Sequence, residues 1–178
     1  VALVSVGLAS GVTTGTRQFK KSVRYSEAQT LYTTLESILT NELKYTNLIT
    51  VDSDGNVKTF YSVTYAIEEN PTGLYVLNGN LKGDDANKDV VLTDGGYGQL
   101  AIGDGTTFNR LLGKSSYTSN LGAKATIKYY PESGEGTKRK EAHFTVDLDI
   151  GIIGTNVSIV NKKFDVRCLE TVSVGGDQ

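Results

Sequence analysis

Thr16-Arg-Gln-Phe-Lys-Lys-Ser-Val-Arg-Tyr-Ser-Glu-Ala-Gln-Thr-Leu-Tyr-Thr-Thr-Leu-Glu-Ser-Ile-Leu-Thr-Asn-Glu-Leu-Lys44 is the stretch that decides the fold. Phe19, Val23, Leu31, Leu35, Ile38, Leu39 and Leu43 recur at three- and four-residue spacing, with Ala28 and Tyr32 in support. That period puts apolar side chains on one face of an α-helix. Gly and Pro are absent from the stretch, so nothing in it breaks a helix. Glu27, Gln29, Glu36 and Glu42 are assigned to the outward, polar face. The helix is expected to end near Tyr45 to Asn47. A face of this kind, from Val23 through Leu39, is expected to lie on something apolar.

Downstream the period changes to two. Val57, Thr59, Tyr61, Val63, Tyr65 and Ile67 alternate as a half-buried strand does. Asn70-Pro71-Thr72-Gly73 and Asp94-Gly95-Gly96 are turn signals. Further strands are predicted at Leu74–Leu77, Val90–Thr93, Tyr97–Ile102 and around Ala125, Ile127 and Tyr129. A polar connection, Pro131–Lys140, leads to Phe144, Val146, Leu148 and Ile150. Strands at Val157–Val160 and Phe164–Val174 complete the chain. Short polar turns with no intervening helices imply antiparallel pairing. The expected class is therefore α+β, a long N-terminal helix (1–47) packed on an antiparallel β-sheet within one domain (48–178).

Upstream, residues 1–12 are apolar, uncharged and rich in small side chains. The chain has no methionine, so Val1 is read as a cut and residues 1–15 as the remnant of a longer apolar membrane or filament-core segment. Twelve residues are too few to span a bilayer, which takes about 20. Gly7, Gly11 and Gly15 stand four apart, which on a helix opens one face to close approach by another helix. The other reading of Ser10–Thr16 is a helix-weakening stretch or a tail. Arg17, Lys20, Lys21 and Arg24 follow at i, i+3, i+4 and i+7, a basic collar on one helical face. It reads as a contact with lipid headgroups, as a charged seam against neighbouring copies, or as a solvated face.

Composition narrows the function. The 178 residues carry 18 Lys+Arg against 20 Asp+Glu, with no basic excess to serve nucleic acid. Cys168 is the only cysteine and is read as a small core residue on a strand; it has no partner for an internal disulfide. His143 is the only histidine and is read as an exposed or edge-strand residue, since no Gly-x-Ser-x-Gly accompanies it. One His and one Cys do not make a three- or four-ligand N/S zinc site. Asp52-Ser-Asp54-Gly55-Asn56 lacks the third acidic position before glycine and the later bidentate Glu of a calcium loop, and reads as an Asp-Gly turn between helix and strand. Asp84, Asp85 and Asp89 are read as a solvated loop. Phe108–Ser115 ends like a phosphate loop, but Phe108 stands where its first glycine belongs. Asn156-Val157-Ser158 matches a glycosylation sequon. No catalytic, cofactor or metal residues are assigned.

The order of an apolar run at Val1–Val12, an uninterrupted amphipathic helix through Ser26-Glu-Ala-Gln-Thr-Leu-Tyr-Thr-Thr-Leu35, and antiparallel strands resembles type IV pilin-like proteins and pseudopilins, the prepilin-type N-terminal methylation family, in particular its Gram-positive variants. The resemblance implies a pilin-like fold and a non-enzymatic, cell-surface filament subunit without cofactors. It implies a leader-cleavage junction upstream of Val1, removed by a prepilin peptidase, and an assembly machinery. It also implies a bilayer that holds the subunit before assembly, and partners that are copies of the chain or related pilins. Gly7, Gly11 and Gly15 would then serve helix packing in the filament core. The alternative from another class is a membrane-anchored adhesin or binding module that stays monomeric, its surface drawn from Tyr97, Tyr117, Tyr129 and Tyr130.

Overall fold

The computed structural model describes residues 2–61, 72–77, 96–105, 107–134 and 140–175, the side chains of 2–13 excepted. The chain is α+β. Helix α1 spans Ala2–Lys44, followed by β1 (Leu48–Val51), β2 (Val57–Phe60), β3 (Gly73–Leu77), β4 (Gln99–Gly103), β5 (Phe108–Arg110), a 3-10 turn at Lys114–Ser116, β6 (Leu121–Tyr130), β7 (His143–Ile152), β8 (Ser158–Arg167) and β9 (Ser173–Gly175).

The described strands form three three-stranded sheets rather than one: β2-β1-β9, β3-β4-β5 and β6-β7-β8. Isolated bridges join them, Phe60 to Thr72, Gly98 to Ala123 and Asn56 to Lys128. All pairings are antiparallel except β1 with β9, which is parallel. The parallel pair arises because β9 returns beside the chain as it leaves the helix. Leu169 N–H donates to Lys44 O at 2.9 Å and Ser173 N–H to Asn47 O at 2.8 Å. Leu169 thus satisfies the Lys44 carbonyl that the helix end leaves open, and Ser173 pairs with the connection that follows it.

The long meander β6-β7-β8 is the platform for the helix. Its register aligns Ala123–Ile150–Val160, Ile127–Val146–Phe164 and Tyr129–Phe144–Val166 on one face. The period-two alternation in β7 makes Phe144, Val146, Leu148 and Ile150 all fully buried. Against this face α1 lays Ala28, Leu31, Tyr32, Leu35, Leu39 and Leu43, and one contiguous apolar core joins helix and sheets. Tyr32 meets Phe164 edge-on at 6.4 Å. The opposite face is polar, with cross-strand rows Lys124–Asp149–Asn161 and Thr126–Asp147–Lys163.

Several expectations are corrected. The buried helical face begins at Ala28, since Phe19 is 70% exposed and Val23 39%. The apolar period extends further toward the N-terminus than the sheet does. Glu42 is buried, not outward; it lies three and seven residues beyond Leu39 and Leu35, on the core stripe. Glu27, Gln29 and Glu36 are half-buried. Asp52–Asn56 is the turn of the β1–β2 hairpin rather than a link from helix to strand, with Gly55 at φ 78°. The strands β1 and β5 were not foreseen, and the two C-terminal segments expected at Val157–Val160 and Phe164–Val174 are divided differently, into the continuous β8 and the short β9. His143 opens the central strand of its sheet, between Tyr130 and Arg167, and stacks on Tyr130 at 5.1 Å. Cys168 lies just past β8, half-buried against the core. The strand expected at Val90–Thr93, residues 62–67 of the first strand, and Asp84, Asp85 and Asp89 lie outside the described residues.

Candidate functional site

The helix divides into two stretches of different character. From Glu27 to Lys44 it carries the core stripe. From Thr14 to Ser26 every residue is exposed, which at 1.5 Å per residue is about 20 Å of helix without a buried side chain. Tyr25 is 53% exposed, in addition to Phe19 and Val23.

On this stretch the structure brings together all four collar cations. Arg17, Lys20, Lys21 and Arg24, with Tyr25, form one wall of a cleft of about 520 Å³, and Ile152, Val157, Ser158 and Ile159 form the other. The opposite wall is the tip of the β7–β8 hairpin. Val157 at that tip is 53% exposed. Among the described residues that line the cleft there is no carboxylate, so none of them offers the four charges a counter-ion within it. Sequence reasoning found the collar from its spacing but not the hairpin wall, because no local signal ties residue 157 to residue 20.

The hairpin tip is held firmly. Ile152 N–H donates to Val157 O at 3.0 Å, and Val157 N–H to Thr155 Oγ1 at 3.1 Å. Gly154 adopts φ 77°, a left-handed conformation that glycine takes without penalty. The loop before β6 clamps the tip from the side: Ile153 N–H donates to Asn120 O at 3.0 Å, and Asn120 Nδ2 to Ile153 O at 3.1 Å. That loop reaches the helix through the hydrogen bond from Ser119 Oγ to Glu27 Oε2. Lys162 on β8 reinforces the docking, its Nζ 5.3 Å from the Tyr32 ring centre and 3.5 Å from Gln29 Oε1.

Below the tip lies a buried polar knot. Tyr97 Oη and Ser158 Oγ donate to the two carboxylate oxygens of Asp149 at 2.9 and 2.5 Å, and Lys124 Nζ stands 3.7 Å from Oδ2. Burial, then the neighbouring Asp149, raises the Tyr97 phenol above its ordinary pKa. Both carboxylate oxygens are thereby engaged, as buried polar atoms require. The knot fastens the segment that leads into β4 to β7 and β8.

The other candidates disperse. Gly7, Gly11 and Gly15 all fall within α1. The surroundings of Gly7 and Gly11 lie outside the described residues, and a Cβ at Gly15 would meet nothing within 4 Å. Tyr97 is buried; Tyr117 accepts a hydrogen bond from Leu100 N–H at 3.0 Å; Tyr129 packs on Phe144; Tyr130 stacks on His143. These four tyrosines therefore sit in separate contacts rather than in one surface. Burial raises the Cys168 thiol. Asn156 of the sequon is exposed in the β7–β8 turn. Among the described residues no group of three or more His, Cys, Asp or Glu is placed to hold a metal ion, and no helix is long and apolar enough to cross a membrane. Comparison of the chain with protein-family models, curated proteins and solved structures gives no match.

Proposed function

We propose that this chain is a structural subunit of a type IV pilus-like or pseudopilus filament at the cell surface, built on a pilin-like fold, and not an enzyme. Its partners are copies of itself or related pilins. A membrane holds it before assembly, and a prepilin peptidase and assembly machinery process and polymerise it. The observation that supports the reading is the exposed stretch Thr14–Ser26 of α1. A helix of some 13 residues with no buried side chain to anchor it is marginal in water. Here that stretch also carries Phe19, Val23 and Tyr25 in the open. A helix continuous with the core stripe yet buried by nothing in its own chain is what remains when the surface that covers it belongs to other subunits. The small residues Gly7, Gly11 and Gly15 would let such helices approach closely.

The test is to express the gene with its assembly machinery, image surface filaments, and compare the parent with Gly11→Leu. The expected outcome is filaments for the parent and impaired assembly for the variant, with an unchanged β-rich region. Normal filaments from Gly11→Leu would remove the packing role of the glycines. Absence of filaments from the parent under conditions that support assembly would favour the monomeric, membrane-anchored binding module.

A further inference from the structure

We infer that the cleft between the collar and the β7–β8 tip seats the headgroups of anionic phospholipids, so that the chain's membrane-held state depends on lipid charge. The inference deepens the reading above, resting on its membrane-held stage but not on filament formation. Three features select this ligand. First, four cations converge on one wall and no carboxylate stands among the described residues that line the cleft, so the site is complementary to negative charge. Second, the facing wall is apolar, with Ile152, Val157 and Ile159. A small inorganic anion gains nothing from such a wall, whereas a lipid headgroup presents its phosphate beside the carbons of glycerol and of the headgroup alcohol. Third, the uncharged run Ala2–Val12 precedes the collar on the same helix.

The spacing fits a bilayer surface. Polar headgroup layers are about 5–7 Å thick on each side of the hydrocarbon. With Val12 at the hydrocarbon edge and the helix along the bilayer normal, Arg17 stands about 7.5 Å beyond it, Lys20 and Lys21 about 12–14 Å and Arg24 about 18 Å. The long Lys and Arg stems reach back toward the phosphates from those heights. The hairpin tip stands level with the collar because it forms the other wall of the same cleft. Its clamps to Asn120 and, through Ser119, to Glu27 keep it there. Basic residues next to a membrane each strengthen binding to anionic lipid about fivefold.

The experiment is vesicle flotation of the 178-residue chain, with phosphatidylcholine vesicles compared with vesicles containing about one third phosphatidylglycerol. Two variants accompany the parent, Arg17→Gln/Lys20→Gln/Lys21→Gln/Arg24→Gln and Val157→Asp. The parent should prefer the anionic vesicles, and the preference should fall as salt is raised. The fourfold variant should lose it, and Val157→Asp should weaken it severalfold. All five positions are exposed, so thermal unfolding should be unchanged in both variants, which separates loss of the site from loss of the fold. Equal binding to the two vesicle types, or a preference retained by the fourfold variant, would overturn the proposal. Abolition of the preference by millimolar inorganic phosphate at constant ionic strength would overturn it in favour of a free-phosphate site. Collar-dependent self-association without lipid preference would assign the cleft to a second copy instead. Filament imaging is read independently, so a lipid-indifferent chain that still polymerises would refute this inference alone.

Discussion

Leu35→Ala tests whether the helix belongs to the core or merely lies beside it. Leu35 has no exposed surface and sits at the centre of the stripe Ala28, Leu31, Tyr32, Leu39 and Leu43 that faces β7 and β8. Removing its isobutyl end forfeits the transfer free energy of the lost carbons and leaves a cavity that the flanking leucines fill only partly. Buried Leu→Ala changes cost about 2–5 kcal/mol. For a chain of this size each kcal/mol lowers the melting temperature by about 2–4 °C, so the drop should be about 4–20 °C. Leu35→Asp should fall further, because it also buries a carboxylate without a partner. The assay is thermal unfolding followed by circular dichroism and calorimetry, with Phe19→Ala as the internal control. Phe19 is 70% exposed, and its removal should shift stability by no more than about 0.5 kcal/mol. A Leu35→Ala protein that melted within a degree or two of the parent would refute the placement of the helix. Equal effects from Phe19→Ala and Leu35→Ala would do so as well.

Two further outcomes follow from close contacts elsewhere. At Gly151 an added Cβ would lie 2.3 Å from Tyr97 Cζ and 2.5 Å from Val157 O, so Gly151→Ala should cost about 1–3 kcal/mol by overpacking in denaturant unfolding; parent-like stability would mean that Tyr97 does not cross the strand there. Asp52 accepts hydrogen bonds from Asp54 N–H, Asn56 N–H and Asn56 Nδ2 at 2.9 Å each, and those from Asn56 chiefly hold its pKa below the ordinary carboxylate value. A depressed folded pKa means that the group's stabilisation is present above its unfolded pKa and is lost as pH falls through the folded value. The Asn56 amide resonance should therefore titrate below the ordinary Asp range, and the same resonance should be flat in that range in Asp52→Ala.

The helix and the strand β7 were legible in the sequence because each is long and strongly periodic. Phe144, Val146, Leu148 and Ile150 alternate without a fault, and all four are buried as that alternation requires. The helix was legible in type but not in reach. Phe19 and Val23 keep the same 3–4 period as Leu31 and Leu35, so periodicity alone extends the apolar face to residues that have no sheet beneath them. The burial of Glu42 was hidden by its charge, although its position on the wheel is that of the core stripe. Sheet division and the parallel β1–β9 pair were not legible at all. Strands of three or four residues, such as β1, β5 and β9, are too short to carry a period, and their pairing is fixed by contacts such as Ser173 to Asn47. The collar was legible as a face of a helix. The cleft was not, since its apolar wall comes from residues about 130 positions away, brought there by the meander.

The division of α1 also separates two demands on the same element. On the filament reading proposed above, a subunit that must fold before it assembles needs a core of its own, and the helix from Ala28 onward supplies one side of it, joined to the sheets in one cluster. A subunit that must then be recruited needs surface that folding does not consume. Thr14–Ser26 is such a surface, exposed along its whole length. The junction between the two lies at Glu27, where the Ser119 hydroxyl binds and the loop carrying it also holds the β7–β8 tip. Changes at this junction should therefore act differently from changes in either half. Ser119→Ala removes a contact between partly exposed groups, worth about 0.5–1.5 kcal/mol, while leaving both the core stripe and the collar charges in place. It should loosen the angle between the exposed helix and the hairpin more than it lowers stability. Spin labels at Lys21 and Val157 would measure that angle directly as a distance distribution. A distribution broadened across the cleft with a nearly unchanged melting temperature is the expected result; an unchanged distribution would mean that Ser119 does not position the collar against the tip.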